Sequence, residues 1–486
     1  MAAVEHGEAI APKAPSRQRA SLVVLLTLAA AYALTVLVFY PGYSTVDARY
    51  VYADAMAWHF GDWQSPAMVV LWRLIDPIAP GASSMFLLTA TLYWLAFGTL
   101  ALVAARRSLW LGLATVLLAF MPPAFFFVGM IWRDVLFAVI WLAAAVLAFA
   151  AADRGVRVRA PLQALALQAL ALQAVALQAL ALLLIALGVL LRPNAVVAAP
   201  LLAAYVIWPM RFDLKRTAIL FLPALVAFYA LVPLVYYGIL DAERQHPLHS
   251  IAVFDLGGIT HFSGDNQFPV AWSGDQTALL ISKCYDPVRW DSYWNAEPCA
   301  FVMRRLERPD DVIFGTPRLA EAWRHALAAH PLAYLSHRAT FMWQFLGRSN
   351  LVLPVWDWLD PASAYGHSPY FAPLVALHDE LQPTLLFRPL LWLILAVAVG
   401  ACAWRRRSTP AGAFAVGVTT CAVVYVMTFF VLGVAADFRY AYWCVLATIA
   451  GAVAAVLARH EQIATPAPAG QDSREPSPGS ASAPRM

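Results

Sequence analysis

Apolar segments of about 20 residues recur along this chain, separated by short polar turns. A helix needs roughly 20 mostly apolar residues to cross about 30 Å of hydrocarbon. The pattern therefore predicts an all-α polytopic membrane protein with about ten transmembrane helices. The ten windows lie near 21–40, 86–105, 109–129, 135–152, 172–191, 195–210, 217–238, 388–404, 411–434 and 440–458.

The composition agrees with this pattern, because 62% of the residues are hydrophobic and only 13% are charged. A water-facing exterior needs about a quarter charged residues, so a soluble globular class is excluded. The main partner is the lipid bilayer, and no nucleic-acid partner is predicted.

Basic residues of the short turns fall on one side of the predicted helices. The positive-inside rule makes this side the cytoplasm, and ten crossings place both termini there. We expect a multi-pass protein of a bacterial inner membrane. The basic residues are Arg17, Arg19, Arg106, Arg107, Arg154, Arg157, Arg159, Lys215, Arg216, Arg405, Arg406, Arg407 and Arg459.

The same topology divides the chain into five parts. A large periplasmic domain of mixed, mainly helical structure separates two transmembrane modules, and the Pro-, Ser- and Ala-rich C-terminal tail is expected to be disordered. The parts are the tail 1–20, the module 21–238 with its first outward loop 41–85, the domain 239–384, the module 385–460 and the tail 461–486.

Two of the cysteines lie in the predicted periplasmic domain. Cys284 and Cys299 lie fifteen positions apart in the large outward loop, where an oxidising environment favours a disulfide. Their spacing does not match a zinc ribbon. We expect the pair to close a small loop in the outward domain.

The first outward loop has the pattern of two short surface helices. Ser44 or Thr45 can cap a helix that begins near Val46, which places Asp47 in a first turn, where the helix dipole favours an acid. A second helix is predicted from Ser65 to Ile75, where apolar residues recur at helical spacing. Three tryptophans of this loop, expected at headgroup depth, are Trp58, Trp63 and Trp72.

A second charged turn follows the third predicted helix. Arg133 and Asp134 stand between two apolar segments, which predicts that they lie at the outer membrane surface. Ionisable residues in such positions are functional by default in membranes, although an interface-anchoring pair is the ordinary alternative.

Two further basic residues occupy outward turns, against the positive-inside bias. Arg192 precedes Pro193 between the fifth and sixth helices, and Arg439 lies between the ninth and tenth. Guanidinium groups suit phosphate oxygens. Their joint placement on one side predicts a phosphate or pyrophosphate site at headgroup depth, whereas each alone would read as an interface anchor.

These features together resemble the membrane-embedded GT-C glycosyltransferases, which include the protein mannosyltransferases and the aminoarabinose transferases of lipid A. The shared features are a first membrane helix, an acidic first outward loop with two surface helices, and a short acidic turn after the third helix. The resemblance covers roughly 20–210, with support from the turn Phe438-Arg439-Tyr440.

The resemblance implies that the chain is an enzyme. It would move a sugar, with inversion, from a polyprenyl-phosphate donor to an envelope glycan, lipid or protein acceptor. Asp47 and Asp134 would be the catalytic acids, and Arg133, Arg192 and Arg439 would contact the donor phosphate. Residues assigned to the acceptor side or to the support of Asp47 are Arg49, Asp54, His59 and Asp62.

The chain departs from the common family pattern at two places. It has Asp47-Ala48-Arg49 where many relatives have adjacent acids, and Gln64-Ser65-Pro66 where a His-Pro is common. These departures leave open whether a divalent metal takes part, and no other cofactor is implied.

Two rival functions remain at this stage. An O-antigen ligase or polymerase would use basic residues of the large loop, such as His337 and Arg338. A transporter or flippase of lipid-linked oligosaccharides is the other. Against it, the chain lacks repeated halves and paired broken helices, and its charges lie at the predicted outer surface.

Overall fold

A computed structural model describes residues 17–157, 164–348 and 369–463, and this part of the chain is helical with isolated β-bridges but no strand. The predicted N-terminal tail up to residue 16 and the predicted disordered tail from residue 464 lie outside it. In chain order the α-helices are α1 (Arg17–Phe39), α2 (Val46–Ala57), α3 (Pro66–Ile75), α4 (Ala82–Ala105), α5 (Leu109–Leu118), α6 (Pro122–Phe125), α7 (Arg133–Arg157), α8 (Ala164–Leu191), α9 (Ala199–Ile207), α10 (Leu214–Pro233), α11 (His249–Ser263), α12 (Gly274–Ser282), α13 (Ser292–Asn295), α14 (Phe301–Leu306), α15 (Pro317–Ala329), α16 (Pro331–Gly347), α17 (Phe371–Leu381), α18 (Pro389–Trp404), α19 (Pro410–Leu432) and α20 (Tyr442–Ile463).

Short helical segments of other types complete the described chain. A π-helical turn, Leu234–Ile239, extends α10. The 3-10 segments are Asp76–Ile78, Phe126–Gly129, Pro193–Val197, Leu385–Phe387 and Phe438–Ala441.

Seven helices of the described residues are long and apolar enough to cross a membrane, or eight if one bent pair counts as a single span. The all-α polytopic membrane class is therefore confirmed. The predicted count of about ten is not established, because α9 and α18 have only 9 and 16 residues. The seven candidate spans are Gln18–Phe39, Ala82–Ala105, Arg133–Asp153, Leu172–Leu191, Leu214–Ile239, Pro410–Leu432 and Phe438–His460.

The bent pair replaces the single helix predicted at 109–129. Helix α5 ends at Leu118, and the chain resumes at Pro122 with a bend of 62°. Pro122 and Pro123 lack the backbone N–H that a continuing helix would need, so the interruption follows from the sequence. The bend brings Gly129 and Met130 to the end of the bundle that carries the first outward loop.

Helix α7 is the centre of the bundle. It is longer than the window 135–152 that predicted it, since it begins at Arg133 and continues to Arg157. Helices α4, α8 and α20 pack around it. Its Ala143-Ala144-Ala145 run lets neighbouring backbones approach closely, as small residues do between membrane helices.

Three isolated β-bridges join loops at one end of the bundle, here called the domain face because residues 239–348 lie there. They pair Tyr43 with Met130, Gly61 with Glu243, and Arg289 with Ala435. Each bridge connects segments that are distant in the sequence. The first loop, the α6–α7 turn, the domain and the α19–α20 turn are thereby held against one another.

The predicted cytoplasmic turns gather at the other end of the bundle. Arg106 Nη1 lies 3.1 Å from Asp153 Oδ2. The N–H of Phe212 donates to the carbonyl of Arg407 at 2.7 Å. The basic short turns and the large domain therefore occupy opposite ends, as the charge pattern predicts.

The domain at residues 239–348 contains the disulfide expected between Cys284 and Cys299. The bond ties α12 to the segment that precedes α14. It closes a loop of the domain that includes α13, whose N-terminal neighbour Arg289 is bridged to Ala435.

A buried charged network fastens the domain to the bundle. Asp255 Oδ1 lies 2.6 Å from Arg338 Nε and 3.2 Å from His337 Nε2, and all three side chains are completely buried. Arg338 Nη1 donates to the carbonyl of Gly433, just after α19, at 2.6 Å. The network thus links α11, α16 and α19.

Close packing supports this network. A Cβ atom at Gly258 would stand 2.3 Å from the His337 ring, so only glycine allows the two helices this approach. Burial lowers the pKa of His337 more than the neighbouring carboxylate of Asp255 raises it. The imidazole is therefore neutral at pH 7, and Arg338 carries the positive charge opposite Asp255.

Asp255→Asn leaves Arg338 as a buried charge without its carboxylate. Breaking a buried pair costs about 3–5 kcal/mol, so we expect a clear fall in the melting temperature of the detergent-purified protein. Asp310→Asn is the matched control, because Asp310 pairs with Arg308 at the surface, where such pairs contribute at most about 1 kcal/mol. Equal melting temperatures for the two variants would contradict this role.

Candidate active site at the domain face

Helix α2 starts where the sequence predicts. Thr45 is its N-cap, accepting from the N–H of Ala48 at 3.4 Å, and Asp47 lies in the first turn. The Thr45 hydroxyl also accepts a hydrogen bond from Trp132 Nε1 at 2.9 Å. The cap is therefore held by the turn that precedes α7.

Backbone pairing brings that turn against the first loop. The N–H of Tyr43 donates to the carbonyl of Gly129 at 2.7 Å, and the N–H of Ile131 donates to the carbonyl of Tyr43 at 3.0 Å. Trp132, Arg133 and Asp134 follow directly, so they lie beside the beginning of α2.

Arg439 is the central guanidinium of the site. Its Nη1 lies 3.1 Å from Asp47 Oδ2, and its Nε lies 3.1 Å from Asp437 Oδ2. The guanidinium carbon stands 4.8 Å from the centre of the Trp132 ring. Arg439 thus joins the first loop, the turn before α7 and the turn before α20.

Arg192 forms a second, deeper ion pair. Its Nε lies 2.9 Å from Asp134 Oδ1, with side chains 11% and 4% exposed. Asp134 lies at the domain face, the end of the bundle that is predicted to face outward, but its side chain is buried there. Helix α7 begins at Arg133, and Arg192, which follows α8, contacts Asp134 in this first turn.

Tyr440 separates the two arginines. Its ring centre lies 4.8 Å from the guanidinium carbon of Arg192 and 5.2 Å from that of Arg439. The negative face of an aromatic ring attracts cations, so the ring reduces the repulsion between two like charges.

Arg133 differs from the other two arginines. Its Nη1 donates to the carbonyl of Trp63 at 3.0 Å. Within the described residues, no carboxylate lies within 4 Å of its guanidinium group. Arg133 therefore supplies a positive charge at the site that no direct partner neutralises.

A small cleft opens between these groups, with a volume of about 250 Å³ including the solvent at its mouth. Polar and charged side chains line one part, and apolar side chains line the rest. The lining residues are Asp47, Ala48, Val51, Gln64, Met68, Ile131, Trp132, Arg133, Asp134 and Arg439.

The surroundings shift the pKa values of two carboxylates of the site, Asp47 and Asp437, in opposite directions. Burial alone would raise the pKa of Asp47, but the positive charges of Arg439 and Arg133 outweigh it and hold this pKa below the usual value. Asp47 is therefore ionised at neutral pH, although half of its side chain is exposed. Burial raises the pKa of Asp437, against the opposing effect of Arg439.

The donor set does not suit a divalent metal. Asp47 contacts Arg439 and Asp134 contacts Arg192, so both carboxylates already have a positively charged partner, and the guanidinium groups of Arg133 and Arg439 line the cleft where a cation would have to bind. Among the described residues, no group of three or more His, Cys, Asp or Glu side chains is arranged to hold a metal.

The other acidic and basic residues of the first loop lie outside the cleft lining. Arg49 projects from the exposed face of α2. Asp54 Oδ1 lies 3.0 Å from His59 Nδ1, and the hydrogen bond raises the pKa of that imidazole. His59 Nε2 also lies 3.5 Å from Glu243, so this group connects the loop to the domain.

Asp62 has a similar connecting role. It accepts from the N–H of Gln245 at 2.6 Å and from the Tyr237 hydroxyl at 2.7 Å. Asp54, His59 and Asp62 therefore connect the first loop to neighbouring segments, and none of the three lines the cleft.

The three tryptophans of the first loop differ in how far they are buried. Trp58 is half exposed, whereas Trp72 is completely buried and donates to the carbonyl of Gly81 at 3.1 Å. The expectation of a headgroup position for Trp72 is wrong, because α3 turns this side chain towards α4 and the protein interior. Trp63 packs against the domain, with its ring centre 5.9 Å from that of Trp290.

Sequence reasoning missed several parts of the site. Asp437 pairs with Arg439, and its place two residues before that arginine was the available signal, since an aspartate there also caps the following turn. Trp132, Gln64 and Met68 line the cleft without any sequence pattern that marks them.

No protein-family model matches the chain, and no match was found among curated proteins or solved structures. The resemblance to the GT-C glycosyltransferases therefore remains a prediction. The geometry of the site is the basis for any functional conclusion.

Arg192→Met leaves the buried carboxylate of Asp134 without a partner. We expect a loss of about 3–5 kcal/mol, seen as a lower melting temperature of the detergent-purified protein. Adding Asp134→Asn to Arg192→Met should recover part of this loss, because the unpaired charge disappears. Strictly additive effects of the two substitutions would contradict direct pairing.

Proposed function

We propose that this protein is an inverting membrane glycosyltransferase that uses a polyprenyl-phosphate sugar at the domain face. The observation that carries the proposal is the cleft itself, where a half-exposed carboxylate and an arginine without a carboxylate partner face the same space. The proposed setting is a bacterial inner membrane, with the domain face outward and both termini cytoplasmic.

Arg133 supports the phosphate end of this proposal. Its guanidinium lines the cleft and has only the Trp63 carbonyl as a described hydrogen-bond partner, so several of its N–H groups can bind phosphate oxygens. Arg439 lies beside it and adds positive charge, and Arg192 stands deeper as a supporting charge. A leaving phosphate at this place would be stabilised as its charge develops.

Asp47 supports the acceptor end. Its Oδ2 contacts Arg439, while its Oδ1 makes no hydrogen bond within the described residues. In the proposed step the acceptor oxygen forms a bond to the anomeric carbon of the sugar, and the bond from that carbon to the phosphate oxygen breaks. The phosphate leaves with the electron pair, and the acceptor proton passes to Asp47.

The single displacement inverts the anomeric carbon. No metal is needed in this scheme, because the charge of the leaving phosphate is met by guanidinium groups. The proposed acceptor is an envelope glycan, lipid or protein.

Burial argues against the ligase alternative in the form that the sequence suggests. His337 and Arg338 are completely buried and held by Asp255, so neither can contact a substrate in this structure. The cleft, which is partly open to solvent, lies instead beside Asp47 and Arg133, which favours transfer at the first loop.

Arg133→Gln should weaken binding of an isoprenoid phosphate, because it removes the charge that no carboxylate neutralises. The measurement is titration of the nanodisc-embedded protein with farnesyl phosphate, and we expect a dissociation constant about tenfold higher, equivalent to about 1.4 kcal/mol. Arg308→Gln, on the exposed surface of the domain, is the matched control and should bind like the unmodified protein. Unchanged binding by Arg133→Gln would remove this residue from the phosphate site.

Asp47→Asn should retain farnesyl phosphate binding, since it removes a negative charge from the cleft, but it should abolish transfer. The readout is accumulation of lipid-linked sugars in cells that contain only the variant, identified by mass spectrometry. Asp275→Asn is the control, because Asp275 also lies in the first turn of an exposed helix, α12. No accumulation in the Asp47 variant would exclude Asp47 as the proton acceptor.

A further inference from the structure

Three tryptophan rings meet where the first loop contacts the domain. The ring centre of Trp63 lies 5.9 Å from that of Trp290 and 6.2 Å from that of Trp294. Trp290 and Trp294 are themselves 5.7 Å apart and nearly perpendicular, at 78°. The cluster therefore spans the junction between the first loop and the domain.

The three rings differ in their access to solvent. Trp290 is 6% exposed and fills the junction, whereas Trp294 is 41% exposed. Trp63 is half-buried between them. Trp294 therefore presents an aromatic surface to solvent on a rigid support, because the neighbouring rings hold it.

Two backbone contacts connect this cluster to the cleft. The carbonyl of Trp63 accepts the hydrogen bond from Arg133. The N–H of Trp290 donates to the carbonyl of Val434 at 2.9 Å, three residues before Asp437. The aromatic surface is thus joined on both sides to segments that carry the arginines of the cleft.

A carboxylate stands within the same segment. Asp291 lies between Trp290 and Trp294, and no ion pair to it occurs within 4 Å in the described part of the chain. Burial raises its pKa, and it interacts electrostatically with Arg439 and Asp47. Asp291 is therefore a partly buried carboxylate beside the tryptophan cluster that has no ion-pair partner within the described residues.

We propose that Trp63, Trp294 and Asp291 form the acceptor subsite, and that the acceptor is a saccharide. This inference rests on the proposed function and narrows its acceptor class. The aromatic face receives the C–H face of a pyranose ring, and Asp291 accepts a hydrogen bond from a ring hydroxyl. The hydroxyl that reacts then points towards Asp47.

The chemistry of the subsite favours a sugar over a lipid. The C–H bonds on one face of a pyranose carry partial positive charge and match the negative face of an aromatic ring. The hydroxyl groups at the edge of the sugar need polar partners, which Asp291 provides. An acyl chain would gain nothing from a carboxylate at this position, because burying that group without a hydrogen bond costs free energy.

The test uses the full-length protein in nanodiscs and three soluble probes, methyl glycosides of glucose, galactose and mannose. Saturation-transfer NMR should detect at least one of them, with the strongest transfer to ring C–H protons. Trp294→Ala should reduce the affinity roughly 3- to 10-fold, and Trp294→Phe should restore part of it, because a smaller aromatic face remains. Asp291→Asn should weaken binding while leaving transfer to the C–H protons dominant.

Trp343→Ala is the matched control, because Trp343 is 74% exposed on α16 and away from the Trp63 cluster. Saturation transfer that is absent for all three glycosides, or equal in Trp294→Ala and Trp343→Ala, would overturn the subsite. So would binding of a soluble threonine peptide in place of every glycoside. Farnesyl phosphate binding, measured on the same samples, separates the two proposals, since Trp294→Ala should leave it unchanged.

Discussion

The ion pair between Arg439 and Asp47 is the interaction on which the site depends. It joins residues 392 positions apart in the sequence, one from the first loop and one from the turn before the last helix. Asp437 holds the other side of the same guanidinium, and the Trp132 ring lies against it. Without this arginine, α2 would lose its charged contact with the C-terminal helices, and Asp47 would lose the largest of the positive charges that lower its pKa.

Backbone pairing makes this arrangement rigid. The bridges from Tyr43 to Met130 and from Arg289 to Ala435 hold the loops together through main-chain pairing, in addition to the side-chain contacts. Preorganised charges cost little reorganisation when a transition state develops, which is the condition for electrostatic catalysis. The buried network around Asp255 attaches the domain to the bundle in a similar way, because Arg338 contacts both Asp255 and the carbonyl of Gly433 after α19.

Much of the local structure could be predicted from the sequence, because local rules decide it. The cap at Thr45, the start of α3 after Ser65 and the pairing of Cys284 with Cys299 depend on neighbouring residues or on compartment. The choice of partner for Asp134 could not be predicted, because it depends on how α7 and α8 are rotated relative to each other. The electrostatic interaction of Asp291 with Arg439 and Asp47 could not be predicted either, since only the folded domain brings these groups together.

The charges of the cluster are balanced, which has a consequence for any anion that enters the cleft. Three guanidinium groups meet three carboxylates there: Arg133, Arg192 and Arg439, with Asp47, Asp134 and Asp437. Among the described residues, Arg133 is the one arginine of the three with no carboxylate within 4 Å, so an anion can contact it while the nearby carboxylates repel that anion. In the proposed function a sugar phosphodiester adds one negative charge to this balanced cluster and a diphosphate linkage adds two, so the electrostatic cost favours the lipid carrier with fewer charges.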